Sequence, residues 1–345
     1  MRISGIAAAL AVGLIISTAI AQIVISPPAA DIHINGHTYT NSDWQNNPQG
    51  TLSAIANDVG AITQLYPQGR FSPRVVLSAD LTMYVGGAGA SDLNNCLVGS
   101  PCATIQRPFD LLRDRYDFAG HTVNVQLADG SYSPGVVLSG KMVGQINQYN
   151  LVLTGNPSNP SAVNVTDTRP ISNFLDGGVG TPILVGYGAA LGVRGMRVVS
   201  SFRSLWAHEG GKIIFNAIEF GQSGDGQITS DVGAEIRING AYSVTGSAAY
   251  HYGAFNGGVI FTFEPAVPGS FTAVNIVGNP TIPVFAFATS LSQILAPASR
   301  MSFSGSINGI RYGIDGVSLI DTAGSGQNFF PGSCPCTVTN GSVYK

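Results

Sequence analysis

The chain has 345 residues, 16 basic and 19 acidic, so 10% are charged where soluble proteins average about 25%. Its 44 glycines and 19 prolines are too many helix breakers for a coiled coil or long bundle. An apolar content of 44% with a net charge of −3 excludes a disordered chain, and the missing basic surplus excludes a nucleic-acid binder. A weakly charged, Gly-rich all-β protein remains.

Residues 1–21 read as a secretory signal peptide. Arg2 supplies the positive start, Ile6 to Ile16 the apolar run, and Ala19-Ile20-Ala21 the small-x-small cleavage site. The other reading is a short anchor or docking plug, although the run is shorter than the roughly 20 residues of a spanning helix. Residues 22–80 are a polar lead-in that attaches the rest to something else. Asn41 to Gly50 is loop-like, and Leu52, Ile55, Val59, Ile62 and Leu65 recur at helical spacing over Thr51–Leu65. Arg74–Leu77 and Thr82–Val85 read as short strands.

The four cysteines follow a signal sequence, where oxidised pairs are expected. Cys96 and Cys102 flank a five-residue loop and predict a loop-closing disulfide. Cys334 and Cys336 stand two apart, a strained spacing for a bridge, and so pair with another chain or stay free. No Cys-x-x-Cys, Asp-x-Asp run or His cluster calls for a metal, and no Lys-Ser/Thr follows Gly86 to Gly89 to make a phosphate loop. No metal or cofactor is expected.

Thr104 to Tyr116 predicts a helix with Ile105, Phe109, Leu112 and Tyr116 on one face, and Pro108 sits harmlessly in its first turn. From His121 the pattern changes to short strands punctuated by Gly, Asn, Asp and Pro, as at Val123–Leu127, Tyr149–Thr154 and Ala162–Val165. Self-alignment then finds a repeat. Leu191, Ile213, Ile236 and Val259 open equivalent segments 22 to 23 residues apart. In the first three a small residue (Gly195, Ala217, Gly240) marks a bend before a second short strand. One such unit cannot bury its inner face alone, but a stack of them can, so the period predicts a parallel β-helix over residues 81–345 with those four residues in one interior column. The competing architecture is an antiparallel sandwich.

Tyr84-Val85-Gly86-Gly87-Ala88-Gly89-Ala90-Ser91-Asp92, Ser100 to Asp110 and Val125 to Tyr132 together resemble the opening of right-handed, pectate-lyase-like β-helix proteins, in which a capping helix leads into the first coil. His251 to Gly258, Asn275 to Pro280, Gly309 to Tyr312 and Gly324 to Gly332 resemble tail-associated proteins of phages and prophages from alphaproteobacteria. That resemblance covers about residues 80–345. It implies a right-handed helix, a tail spike or fibre role in contact with host polysaccharide or lipopolysaccharide, a homotrimer, and attachment to other tail proteins through the N-terminal segment. The signal-like start and the cysteines depart from the tail pattern, and imply the alternative of an exported polysaccharide lyase or glycoside hydrolase. A surface structural protein without ligand chemistry is the third reading.

Enzymes on this fold use clustered carboxylates with general acid and base roles. In the self-alignment His208 falls over Asp231, with Asp225 in a nearby turn and His251 in the next repeat. His208, Asp225 and Asp231 are therefore the catalytic candidates, with Glu209 beside them and Arg194, Arg197 and Arg203 as the nearest cations. Trp206, Tyr250, Tyr252 and His251 are the candidates for stacking and hydrogen bonding to sugars. The plainer alternatives are that the polar residues sit at solvated corners and that the rings pack inside.

Overall fold

The structure is a computed structural model that describes residues 32–34, 37–47, 49–51, 53–55, 57, 74–170, 178–333 and 336–345. The chain divides into two compact units, Met1–Pro73 and Arg74–Lys345. The expected signal peptide over residues 1–21 lies outside the described residues, as does Cys334.

In the first unit Ile32–Ile34 pairs antiparallel with His37–Tyr39. A short helix, Asn41–Asn46, follows where a loop was expected. Its start is fixed locally by a capping box in which the Thr40 side chain accepts from the Asp43 amide and the Asp43 carboxylate accepts from the Thr40 amide. Those bonds hold the Asp43 carboxyl below its usual range, the Thr40 amide contributing most. Residues 49–51, 53–55 and 57 are helical, and the remainder of the helix expected over 51–65 lies outside the described residues.

The second unit is mostly β and carries two long parallel sheets, one of fifteen strands and one of eight. It opens with the short strand Val75–Val76, which pairs in parallel with Tyr116–Asp117, followed by strand Leu81–Val85 and the helix Gln106–Arg115, which buries Pro108, Phe109, Leu111 and Leu112. The Cys96–Cys102 disulfide closes the intervening loop, and the Cys96 carbonyl accepts from the Tyr84 amide at 2.6 Å. Cys336 is also disulfide-bonded, which removes the free-thiol alternative of the two expected for it.

Each strand pairs in parallel with its equivalent one repeat along, so like positions stack. Met83, Val125, Leu153, Val193, Phe215 and Ile238 follow one another in register and are all buried. Leu191, Ile213, Ile236, Ile260, Ile294 and Ile320 form a second buried column. The expected fourth member was Val259, and the structure corrects it. Val259 pairs with Glu235 and is half-buried, whereas Ile260 stacks on Ile236. The turn ahead of it brings the spacing to 24 residues, and a one-residue slip exchanges the two faces of a strand. In the eight-stranded sheet the inward column is Ile183, Leu205, Ile228, Tyr252, Ala286 and Tyr312. The outward column is Leu184, Trp206, Thr229, Gly253, Phe287 and Gly313. Both inward faces contribute to one apolar core.

The predicted bends are present. Gly195, Ala217 and Gly240 all have positive φ. A second set of corners was not foreseen. Tyr187-Gly188, Glu209-Gly210, Val232-Gly233, Asn256-Gly257, Ser290-Leu291, Gly316-Val317 and Asn340-Gly341 each place two successive residues at positive φ. The second amide of each of the first six turns donates to the first carbonyl of the next turn at 2.9–3.2 Å. These turns form a hydrogen-bonded ladder alongside the sheets. Val317 is costly there, because a β-branched residue at φ 59° crowds its own carbonyl. It is 63% exposed and gains little packing in return. Val317→Gly should therefore stabilise the protein by about 1 kcal/mol, read as a higher urea midpoint with an unchanged slope. A lower midpoint would show that the Val317 side chain has a partner.

Candidate functional site

The structure brings His208, Asp225 and Asp231 together, and Arg203 is what joins them. Arg203 Nε lies 3.0 Å from Asp225 Oδ2, and Nη1 lies 3.6 Å from Asp231 Oδ2. His208 Nδ1 is 3.6 Å from the same Asp231 oxygen, and Glu209 Oε1 is 3.6 Å from His208 Nε2. Asn256 Nδ2 donates to Asp231 Oδ1 at 2.9 Å. The guanidinium also lies over the rings of Trp206, Phe202 and Phe255, 4.6, 4.7 and 5.5 Å from their centroids. A cation held by two carboxylates and three π-faces is a pin. The Arg203 and Asp231 side chains are 9% and 7% exposed, so the pin is packed into the surface.

The four sugar-contact candidates are all buried. Trp206 points outward from the sheet but is covered by Arg203 and Phe202, and is buried. Tyr250 lies flat across the outer face, in the space left by Gly226 and Gly253, where a Cβ would fall 2.0 and 2.2 Å from its ring. Its hydroxyl donates to Asp225 Oδ2 at 2.9 Å, and the ring is buried. Tyr252 and His251 are in the core, both 0% exposed. His251 Nε2 is 2.8 Å from the Tyr242 hydroxyl, and Nδ1 is 2.7 Å from Gln227 Oε1. Tyr242 also bonds the Tyr252 hydroxyl. Burial drives the His251 pKa down to about 3, and pushes the Tyr252 and Tyr242 hydroxyls well up. None of these four side chains presents a free ring to a glycan. Among the described residues no three His, Cys, Asp or Glu side chains gather as a metal site.

A more open polar site lies on the outward face of the longer sheet. Outward positions of successive strands place Val152, Gly192 and Ile214 in one row, and Thr154, Arg194 and Asn216 in the next. With Tyr149 and Asn239 these residues, the buried Thr154 excepted, line a shallow groove of about 100 Å³. Gly192 has ordinary extended backbone, so its conformation does not demand glycine. A Cβ there would sit 3.3 Å from both the Gln148 carbonyl and Val152 Cγ2, which explains the low floor. Arg194 is aimed by a chain of side chains, Nε donating to Thr154 Oγ1 at 3.0 Å and Thr154 to Asn124 Oδ1 at 2.6 Å. Asn216 Nδ2 donates to the Asn239 carbonyl at 3.1 Å. Nearby, the fully buried Glu264 carboxylate accepts from Arg237 Nη1 at 3.0 Å. Desolvation, then a hydrogen bond to Glu264, pushes the Tyr149 hydroxyl up to about 12.

No family model, curated protein or solved structure matches the chain.

The groove offers amide side chains, a guanidinium and an exposed ring, which suit hydroxyls, an anion and an apolar sugar face. Its lining includes no carboxylate. General acid and base chemistry at a glycosidic bond calls for a pair of them. The candidate carboxylates Asp225 and Asp231 are held by Arg203, and Glu264, which accepts from the Tyr149 hydroxyl beside the groove, is paired with Arg237. Sequence reasoning named Arg194 only as a neighbouring cation and missed the groove. A signal was available: Arg194, Asn216 and Asn239 each stand three residues after Leu191, Ile213 and Ile236.

Proposed function

We propose that residues 81–345 form a right-handed parallel β-helix, and that the protein is a phage or prophage tail spike or fibre component that holds host-surface glycans. The unbroken parallel pairing through both sheets is compatible with that architecture. The resemblance of residues 251–258 and 324–332 to tail-associated proteins supports the tail assignment. The observation that carries the glycan assignment is the groove of Tyr149, Arg194, Asn216 and Asn239, which offers a ring, a guanidinium and amides to a sugar. A homotrimer in the virion tail, joined to other tail proteins through the N-terminal segment, completes this proposal. A second reading, an exported carbohydrate-active enzyme, is favoured by one observation: the Cys96–Cys102 disulfide suits an oxidising compartment.

Incubation of the full chain with envelope polysaccharide from candidate hosts separates the two. Retention of the glycan with no new reducing ends and no ultraviolet-absorbing unsaturated product is the expected result. Product formation would install the enzyme in its place. A chain that neither retains nor cleaves any glycan, and that antibodies do not find on induced particles, would end the proposal.

A further inference from the structure

Arg194 differs from four other arginines of the second unit. Arg169, Arg197, Arg203 and Arg237 each pair with a carboxylate, whereas Arg194 makes no ion pair among the described residues. It is exposed, and Thr154 and Asn124 fix its direction without neutralising it. An oriented guanidinium with its fork open to solvent is suited to receive a planar anion. Its neighbours decide which kind. Asn216 and Asn239 supply amides at sugar-hydroxyl reach along the same row, and the Tyr149 ring is 38% exposed at the groove's side. Phosphate alone would leave the ring and the low Gly192 floor unused.

We infer that this groove is a binding site for an acidic saccharide, whose carboxylate is received by Arg194 and whose hydroxyls meet Asn216 and Asn239. The inference rests on the glycan-binding proposal and narrows it to one chemical class and one face. The groove's volume of about 100 Å³ is below the roughly 300–1,000 Å³ of sites that enclose a whole ligand. It therefore holds one sugar unit of a chain that continues along the sheet. Affinity for a single unit is expected on the order of millimolar, and a polymer gains by occupying several copies at once.

The test is binding of the full chain to an array of uronate- and sialate-bearing oligosaccharides, each beside its neutral counterpart (the methyl ester or the parent sugar). The expected result is a preference for the acidic member that weakens as salt rises. Arg194→Gln should lose about tenfold or more in acidic-glycan affinity, so that the preference for the acidic member over its neutral counterpart disappears, as removal of a charge-assisted hydrogen bond does. Asn216→Asp places a like charge in the lining and should abolish acidic binding. Both positions face outward, and circular dichroism verifies that each variant folds. Equal binding of acidic and neutral members, or an Arg194→Gln variant that binds like the parent, would overturn the inference while leaving glycan contact standing. A parent chain that binds nothing on the array would remove both.

Discussion

Acidification from pH 6.5 toward pH 3 is expected to strip on the order of 5 kcal/mol from the stability of the second unit through His251 alone. Its folded pKa is about 3 because the imidazole is wholly buried. The groups that face it are Tyr242, Tyr252, Gln227, Phe220 and Phe285, none of which carries a charge at these pH values. An unfolded histidine titrates near 6.5. Above that pH neither state holds the proton, and the full stability is present. Below it the unfolded chain takes up a proton that the folded chain refuses, so stability falls by about 1.4 kcal/mol per pH unit until the folded pKa is reached. His251→Gln keeps a side chain able to bond Tyr242 and Gln227 but removes the titration. Its urea midpoint should be nearly flat between pH 6 and pH 4.5, where the parent's declines. Carboxylates contribute mainly below that window, so equal slopes for the two proteins would mean that another group titrates.

The second large effect is expected at Arg203. Arg203→Met should cost about 3–5 kcal/mol, because it leaves Asp231, 7% exposed, with its charge buried and without the guanidinium. Asp225 would lose its 3.0 Å partner as well, and the stacked faces of Trp206 and Phe255 would lose the guanidinium. The triple variant Arg203→Met, Asp225→Asn, Asp231→Asn removes both orphaned charges and should regain most of the loss. Chemical denaturation of the two proteins checks this. A single variant within 1 kcal/mol of the parent, or a triple variant no better than the single, would show that the cluster does not pin the sheet.

These effects also show what was legible in the sequence. The strands and the first three interior positions were, because burial imposes an aliphatic residue at a fixed spacing. Leu191, Ile213 and Ile236 stack as the period required. The fourth was misplaced by one residue, since a period counted in residues does not register a turn that lengthens. The polar cluster was half legible. Alignment brought His208 over Asp231, but charge type alone could not distinguish a solvated corner from a carboxylate bound to Arg203. Ring exposure was not legible at all. Tyr250, His251 and Tyr252 are consecutive, yet Tyr250 lies across the outer face while the other two are in the core. Two glycines on neighbouring strands, Gly226 and Gly253, make that arrangement possible, and neither carries a pattern of its own.

The turn ladder also governs where the molecule can grow. Spacings between its members are 22, 23, 24, 34, 26 and 24 residues, yet the amide-to-carbonyl link from each turn to the next is kept throughout. The ten or so surplus residues of the longest interval leave the ladder untouched; residues 264–270 of that interval form a loop. Sequence added at such a loop leaves the axial bonding intact, while a single residue added within a turn breaks it. Segments between the turns can therefore lengthen or carry new side chains without altering the hydrogen-bonded ladder itself.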